Sequence, residues 1–210
     1  YSIRTLGFRG EALASIASIS KVEIFSRSSD SLKGSKMLLE GGEIIKKAPA
    51  GVPVGTDITI RDIFYNTPAR YKYLKTIETE FGHISNIVSR EAMAYPEIKF
   101  TLIHNKREVL KTPGTGNLLD AIYSIYGEEL VNNLIELEYE ESYVKLSGFI
   151  TRPNYTRSSR NHQIFFVNKR TVYNRSLSRG VEKGYQGLIP PGRYPVVFLN
   201  LKLIQVLVDV

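Results

Sequence analysis

One long helical pattern set among many short strand-like runs constrains the fold more than any other feature of this chain. Across residues 78 to 94, Phe81, Ile84, Ile87, Val88 and Ala92 keep the spacing of one helix face, and Pro96 stops the pattern. That predicts a helix burying these five side chains. Runs with strand character precede it at 21–27, 35–40, 43–47 and 57–62, and follow it at 99–104 and 108–111. Gly41-Gly42 reads as a hairpin turn between the second and third runs. Pro68 is placed to open a short helix through Leu74, and a helix near the N-terminus carries Leu13, Ile16 and Ala17 on one face. An antiparallel sheet with helices on one face is the expected packing.

A second set of elements follows Lys111-Thr112-Pro113-Gly114-Thr115-Gly116, a stretch rich in turn formers. Helices are expected near 118–126 and 175–185, with strands at 134–139, 143–151, 163–167 and 195–203. At 210 residues the chain has room for two small domains. The expectation is two α+β domains, 1–112 and 117–210, joined at that stretch.

Composition narrows the function classes. With 42% hydrophobic and 23% charged residues, a folded chain is expected rather than a disordered one. There is no cysteine, hence no disulfide framework, thiolate zinc site or cysteine nucleophile. No apolar run approaches eighteen residues, and Tyr1-Ser2-Ile3-Arg4 lacks a signal pattern, so a cytoplasmic protein without membrane attachment is expected. His83, His104 and His162 lack metal-ligand spacing, and no G-x-S-x-G elbow occurs. Glu136, Glu138, Glu140 and Glu141 read as a solvated strand face.

The net charge is +7, and its position matters more than its size. Residues 152–193 hold nine basic side chains (Arg152, Arg157, Arg160, Lys169, Arg170, Arg175, Arg179, Lys183 and Arg193) and one acidic residue, Glu182. A localised positive field of this kind suits a polyanion, nucleic acid first. Arg175, Arg179 and Lys183 recur one helical turn apart, and the two cations of Asn168-Lys169-Arg170-Thr171 follow a strand as a turn. Together with Arg157 and Arg160 they form a candidate phosphate-tracking surface, largely blind to base sequence. At the other end of the chain, Gly7-Phe8-Arg9-Gly10 ahead of a helix offers free amides to an anion.

These segments resemble MutL-type DNA mismatch repair proteins of the GHKL ATPase superfamily. Thr5-Leu6-Gly7-Phe8-Arg9-Gly10-Glu11-Ala12-Leu13 is similar to the family's third ATP-binding motif. Gly55-Thr56-Asp57-Ile58, the run Asp62-Ile63-Phe64-Tyr65-Asn66-Thr67-Pro68-Ala69-Arg70, and Phe166-Val167-Asn168-Lys169-Arg170 agree with it in order and spacing. So do Gly192-Arg193-Tyr194-Pro195-Val196 and Leu207-Val208-Asp209-Val210. The resemblance implies an α+β chain: the C-terminal part of a GHKL-type ATPase sandwich, then a ribosomal-S5-domain-2-like domain. It assigns ATP contacts to Gly7, Phe8, Arg9, Gly10, Glu11, Ala12 and Leu13, with Gly55 and Thr56 near the adenine, and DNA contact to the Arg175 position. It further implies magnesium as cofactor of the intact protein, a homodimer in the ATP-bound state, and a MutS-type mismatch recognition partner.

Departures from the family pattern bear on activity. The family's water-activating glutamate, magnesium-binding asparagine and D-x-G-x-G motif precede the first residue of this chain, and its phosphate-reaching lysine follows the last. Lys169 stands where the family often has glycine, and Ile204-Gln205 where it commonly has Asp-Pro. The expectation is an internal piece of a MutL-type protein, with no catalytic or metal-binding residue of its own. Two functions follow: a mismatch-repair ATPase region that binds DNA and couples recognition to repair factors, or a DNA-binding and interaction module without ATPase activity.

Overall fold

The computed structural model describes residues 11–203. It divides into two compact units between Glu80 and Phe81, inside the first turn of the long helix.

The first unit opens with helix α1 (Ala12–Ala17) and continues through strands β1 (Lys21–Arg27), β2 (Gly34–Glu40), β3 (Glu43–Ala50) and β4 (Gly55–Arg61) to the short helix α2 (Pro68–Tyr71). The strands form an antiparallel sheet in the order β3-β2-β1-β4. Gly41 and Gly42 both take positive φ, and Glu40 pairs with Glu43, so the expected two-residue hairpin is present. Ala17 and Val22 are buried, whereas Leu13 is largely exposed.

Helix α3 (Ile77–Ala94) runs from the first unit into the second, followed by the hairpin β5 (Thr101–His104) and β6 (Arg107–Lys111). Only part of its expected buried face survives. Ala92 is fully buried and Phe81 and Val88 are half-buried, but Ile84 and Ile87 are exposed at 49% and 62%. The buried positions are instead Ser89, Arg90, Ala92, Met93 and Ala94. Arg90 is tolerated there because Asn86 Oδ1 accepts from its Nε at 2.7 Å and its guanidinium stacks 4.8 Å from the Tyr173 ring. Thr112, in the stretch read as a linker, is buried and accepts from the Phe100 amide at 3.1 Å.

Next come helices α4 (Leu118–Tyr126) and α5 (Glu128–Val131), strands β7 (Leu134–Glu141) and β8 (Val144–Thr151), and the two-residue strand β9 (Thr156–Arg157). A single 3-10 turn, Arg160–His162, leads into β10 (Gln163–Val167) and β11 (Arg170–Val172). Helix α6 (Arg175–Gly184), the short β12 (Tyr194–Pro195) and β13 (Val197–Leu203) complete the described chain. Five strands form one sheet, ordered β11-β10-β13-β8-β7, with only β10 and β13 parallel. The fold class is therefore α+β, as expected from the alternation of runs.

Strand alternation sends successive side chains to opposite faces of this sheet. Ile164, Phe166, Val196 and Phe198 join Met93 of α3, Ala121 and Ile122 of α4 and Leu130 of α5 in one core cluster. Phe165, Val197 and Leu199 form a second, against which Leu177 and Val181 of α6 pack. The sheet thus carries α6 on one face and α3, α4 and α5 on the opposite one.

Candidate nucleic-acid interface

Local chemistry explains why α6 starts where it does. Asn174 is extended, and its side-chain oxygen accepts from the amides of Ser176 at 2.8 Å and Leu177 at 3.2 Å, an N-cap. Leu177 and Val181, four residues apart, seat one stripe of the helix on the sheet. At its end, the buried Tyr185 donates its phenolic hydrogen to the carbonyl of Thr151. The three positions Arg175, Arg179 and Lys183 therefore face away from the sheet, and all three are exposed. Among the described residues none of the three forms an ion pair within 4.0 Å.

The other cations proposed from sequence are placed differently. Arg160 donates to both oxygens of Glu182, Nε to Oε1 at 2.6 Å and Nη2 to Oε2 at 3.1 Å, and lies 4.5 Å from the Tyr194 ring. The hydrogen bond from Arg160 holds the Glu182 carboxyl below its usual range. Lys169 donates to Glu97 at 2.6 Å, seventy-two residues away in the chain. Arg157 is half-buried, donating to the Tyr155 hydroxyl at 2.6 Å, and Arg170 is half-buried on β11. Thr171 also lies on β11, so the turn itself is only Asn168 and Lys169, both with positive φ. The α6 stripe is thus as expected, but Arg160 and Lys169 are paired rather than free.

Arg160, Arg175, Ser178, Arg179 and Glu182 line a single cleft of about 340 Å³. Nothing in the sequence marks Ser178 or Tyr194 as contributors, and Glu182 pairs with Arg160 rather than with Arg175 on its own helix. The one signal for Glu182 was its isolation as the lone acid among nine bases. Nearby, burial together with Arg157 and Arg90 pushes the His162 imidazole below its ordinary value. Its Nδ1 is buried with no hydrogen-bond partner among the described residues.

Gly7, Phe8, Arg9 and Gly10 lie outside the described residues. Glu11 occupies the N-cap position of α1 and makes no side-chain cap, so the amides of the first turn, including Ala12 and Leu13, are not capped by it. Gly55 opens β4 with φ of 129°, and nothing lies within 4 Å of where a Cβ would stand. Thr56 shares a 2.8 Å hydrogen bond with Ser26. The open glycine backbone at Gly55 leaves room for a ligand to approach closely. Among the described residues, no group of three His, Asp or Glu side chains stands together as a metal site. Among the same residues, no helix is long and apolar enough to cross a membrane.

Residues 122–210 match the family model described as DNA mismatch repair protein, C-terminal domain. Over all 210 residues the chain is 62% identical to the DNA mismatch repair protein MutL of Halothermothrix orenii and 44% identical to that of Bacillus cereus. It spans about one third of the length of each, 33% and 32%. Among solved structures, the Aquifex aeolicus MutL ATPase domain complexed with ADP is 29% identical with a TM-score of 0.76, covering 92% of this chain and 72% of that one. A crystal structure of the N-terminal domain of a DNA repair protein is 28% identical with a TM-score of 0.84, covering 99% and 68%. Identity this high along the entire chain, joined to that fold, places it: the chain belongs to the MutL family of DNA mismatch repair proteins.

Proposed function

We propose that the protein carrying this chain acts in DNA mismatch repair by binding the duplex backbone through α6, under the control of an ATP site shared with the N-terminal motif. The observation that carries this reading is the outward stripe of Arg175, Arg179 and Lys183, exposed and without an ion pair within 4.0 Å among the described residues. Three cations at one-turn spacing match a run of phosphates and read no base edge, so binding is largely independent of sequence. Arg157, Arg160, Lys169 and Arg170 contribute to the same positive field, with Arg160 and Lys169 exchanging the carboxylates of Glu182 and Glu97 for phosphate. ATP contacts fall to Gly7 through Leu13, with Gly55 and Thr56 near the base. The relative from Aquifex aeolicus described with ADP supports this assignment. Domain limits of 1–112 and 117–210, a homodimer in the ATP state, a MutS-type partner and a cytoplasmic location belong to the same reading. Because the chain spans only a third of its relatives, the ATPase and the DNA-binding module are distinguished by experiment.

Two measurements on the full-length protein test the two halves. Fluorescence anisotropy over a salt series should show Arg175→Glu weakening duplex binding and lowering the slope of log K against log salt by about 0.9, one phosphate contact. The loss should be similar for different duplex sequences. Equal affinity and slope for both proteins would move the DNA path off α6. Isothermal titration should show Gly10→Val weakening ATP binding in a folded protein, because a side chain there intrudes between amides and phosphate. Unchanged ATP affinity would leave the DNA-binding module as the better reading.

A further inference from the structure

The lone acidic residue of the basic segment sits inside its anion-binding face. Counting along α6, Arg175, Ser178, Arg179 and Glu182 stand at i, i+3, i+4 and i+7, a contiguous patch on one side of the helix. With Arg160 these residues enclose the cleft, so three guanidinium groups and one hydroxyl surround a single carboxylate. That carboxylate takes both prongs of the Arg160 fork, at 2.6 and 3.1 Å. A phosphodiester presents two oxygens to an arginine in the same bidentate manner. The stack on Tyr194 holds the guanidinium plane at the cleft whichever anion it meets.

We propose that Glu182 is the internal occupant of a phosphodiester-binding cleft, keeping Arg160 as a reserve cation that passes to the nucleic-acid backbone when phosphate displaces the carboxylate. This rests on the reading of α6 as a DNA-binding helix. The exchange is feasible because the pair is solvent-accessible, with the side chains 55% and 26% exposed, and accessible ion pairs are weak and screened by salt. A polyanion held already by Arg175, Arg179 and Lys183 presents its next phosphate at high local concentration, where it outcompetes one carboxylate. Glu182 therefore sets a threshold. Isolated small anions, lacking the neighbouring contacts, do not open the pair, and a continuous backbone does.

Duplex binding by the full-length protein, followed by anisotropy over a salt series, tests this with Arg160→Gln, Glu182→Gln and Arg175→Glu, each checked for folding by circular dichroism. Glu182→Gln should tighten binding severalfold at low salt while keeping the wild-type slope, because the competitor is gone and the same phosphates are contacted. Arg160→Gln should lower the slope by about 0.9, since a contact made only in the complex is lost. A wild-type slope for Arg160→Gln would mean that Arg160 stays on Glu182 when DNA binds, and the exchange would be wrong. Wild-type affinity for Glu182→Gln would equally remove Glu182 as a competitor. If either result appears while Arg175→Glu still weakens binding, the exchange fails and the DNA reading stands. If Arg175→Glu has no effect, the DNA reading fails and takes the exchange with it.

Discussion

Gly148 on β8 lies against the backbone carbonyl of Phe198 on β13, so closely that a Cβ at position 148 would overlap the oxygen. The glycine also holds φ at +139°, a conformation that L side chains rarely adopt. Phe198 belongs to the main core cluster of the second unit, so the strand cannot retreat without opening that cluster. Gly148→Ala should therefore destabilise the protein by more than about 2 kcal/mol through strain and overpacking. Urea unfolding followed by circular dichroism measures this, and a loss within a few tenths of a kcal/mol would show that the sheet yields freely here.

Gly180 predicts the opposite sign. It lies in the interior of α6, and nothing is within 4 Å of where its Cβ would stand. Position 180 lines an apolar hollow of about 390 Å³ between helix and sheet, together with Leu177, Val181 and Phe165. Gly180→Ala should raise stability by about 1 kcal/mol, from helix propensity and a reduced unfolded-state entropy. The same unfolding titration decides it, and DNA affinity should be unchanged because the basic stripe is untouched.

Tyr185 anchors the end of α6 through its hydroxyl to the Thr151 carbonyl, across thirty-four residues. Tyr185→Phe keeps the ring but leaves that buried acceptor without its donor. A loss of about 1–2 kcal/mol is expected, with hydrogen exchange speeding first in the last turn of α6. Wild-type protection of those amides would show that the helix end is held by packing alone.

His162 links stability to pH. Burial, with Arg157 and Arg90 nearby, lowers its folded-state value below the ordinary 6.5. Between those two values the unfolded chain binds more protons than the folded one, so stability rises with pH across that window. The contribution is complete above about 6.5 and is lost as the pH falls towards the folded value. His162→Gln should flatten this part of the profile. Unfolding midpoints at pH 7.5 and 5.5 should thus differ more for the wild type than for the variant, and equal differences would count against a shifted imidazole.

Much of α6 was legible in the sequence because everything it needs is local. The spacing of Arg175, Arg179 and Lys183 defines one stripe and Leu177 with Val181 defines another, and helix geometry alone separates them. Gly41-Gly42 likewise announces its hairpin, since few residues other than glycine accept two successive positive φ values. The motif runs around Gly7, Phe64 and Asn168 carried the family in the same local way.

What the local pattern could not carry was partnership across the fold. The exposure of Ile84 and Ile87 and the burial of Arg90 were decided by which side of α3 met other elements, and Asn86 and Tyr173 compensate the buried guanidinium. The parallel pairing of β10 with β13, thirty-odd residues apart, has no signature in either strand. Above all, the basic segment looked in sequence like a row of free cations, yet tertiary contacts paired Lys169 with Glu97 and Arg160 with Glu182. Periodicity and turn chemistry depend on neighbours a few residues away, so the chain alone determined the Gly41-Gly42 hairpin, the two stripes of α6, its family and the position of its charge. Charge pairing depends on distances through space, so only the folded structure decided which cations stand free and which are held by a carboxylate.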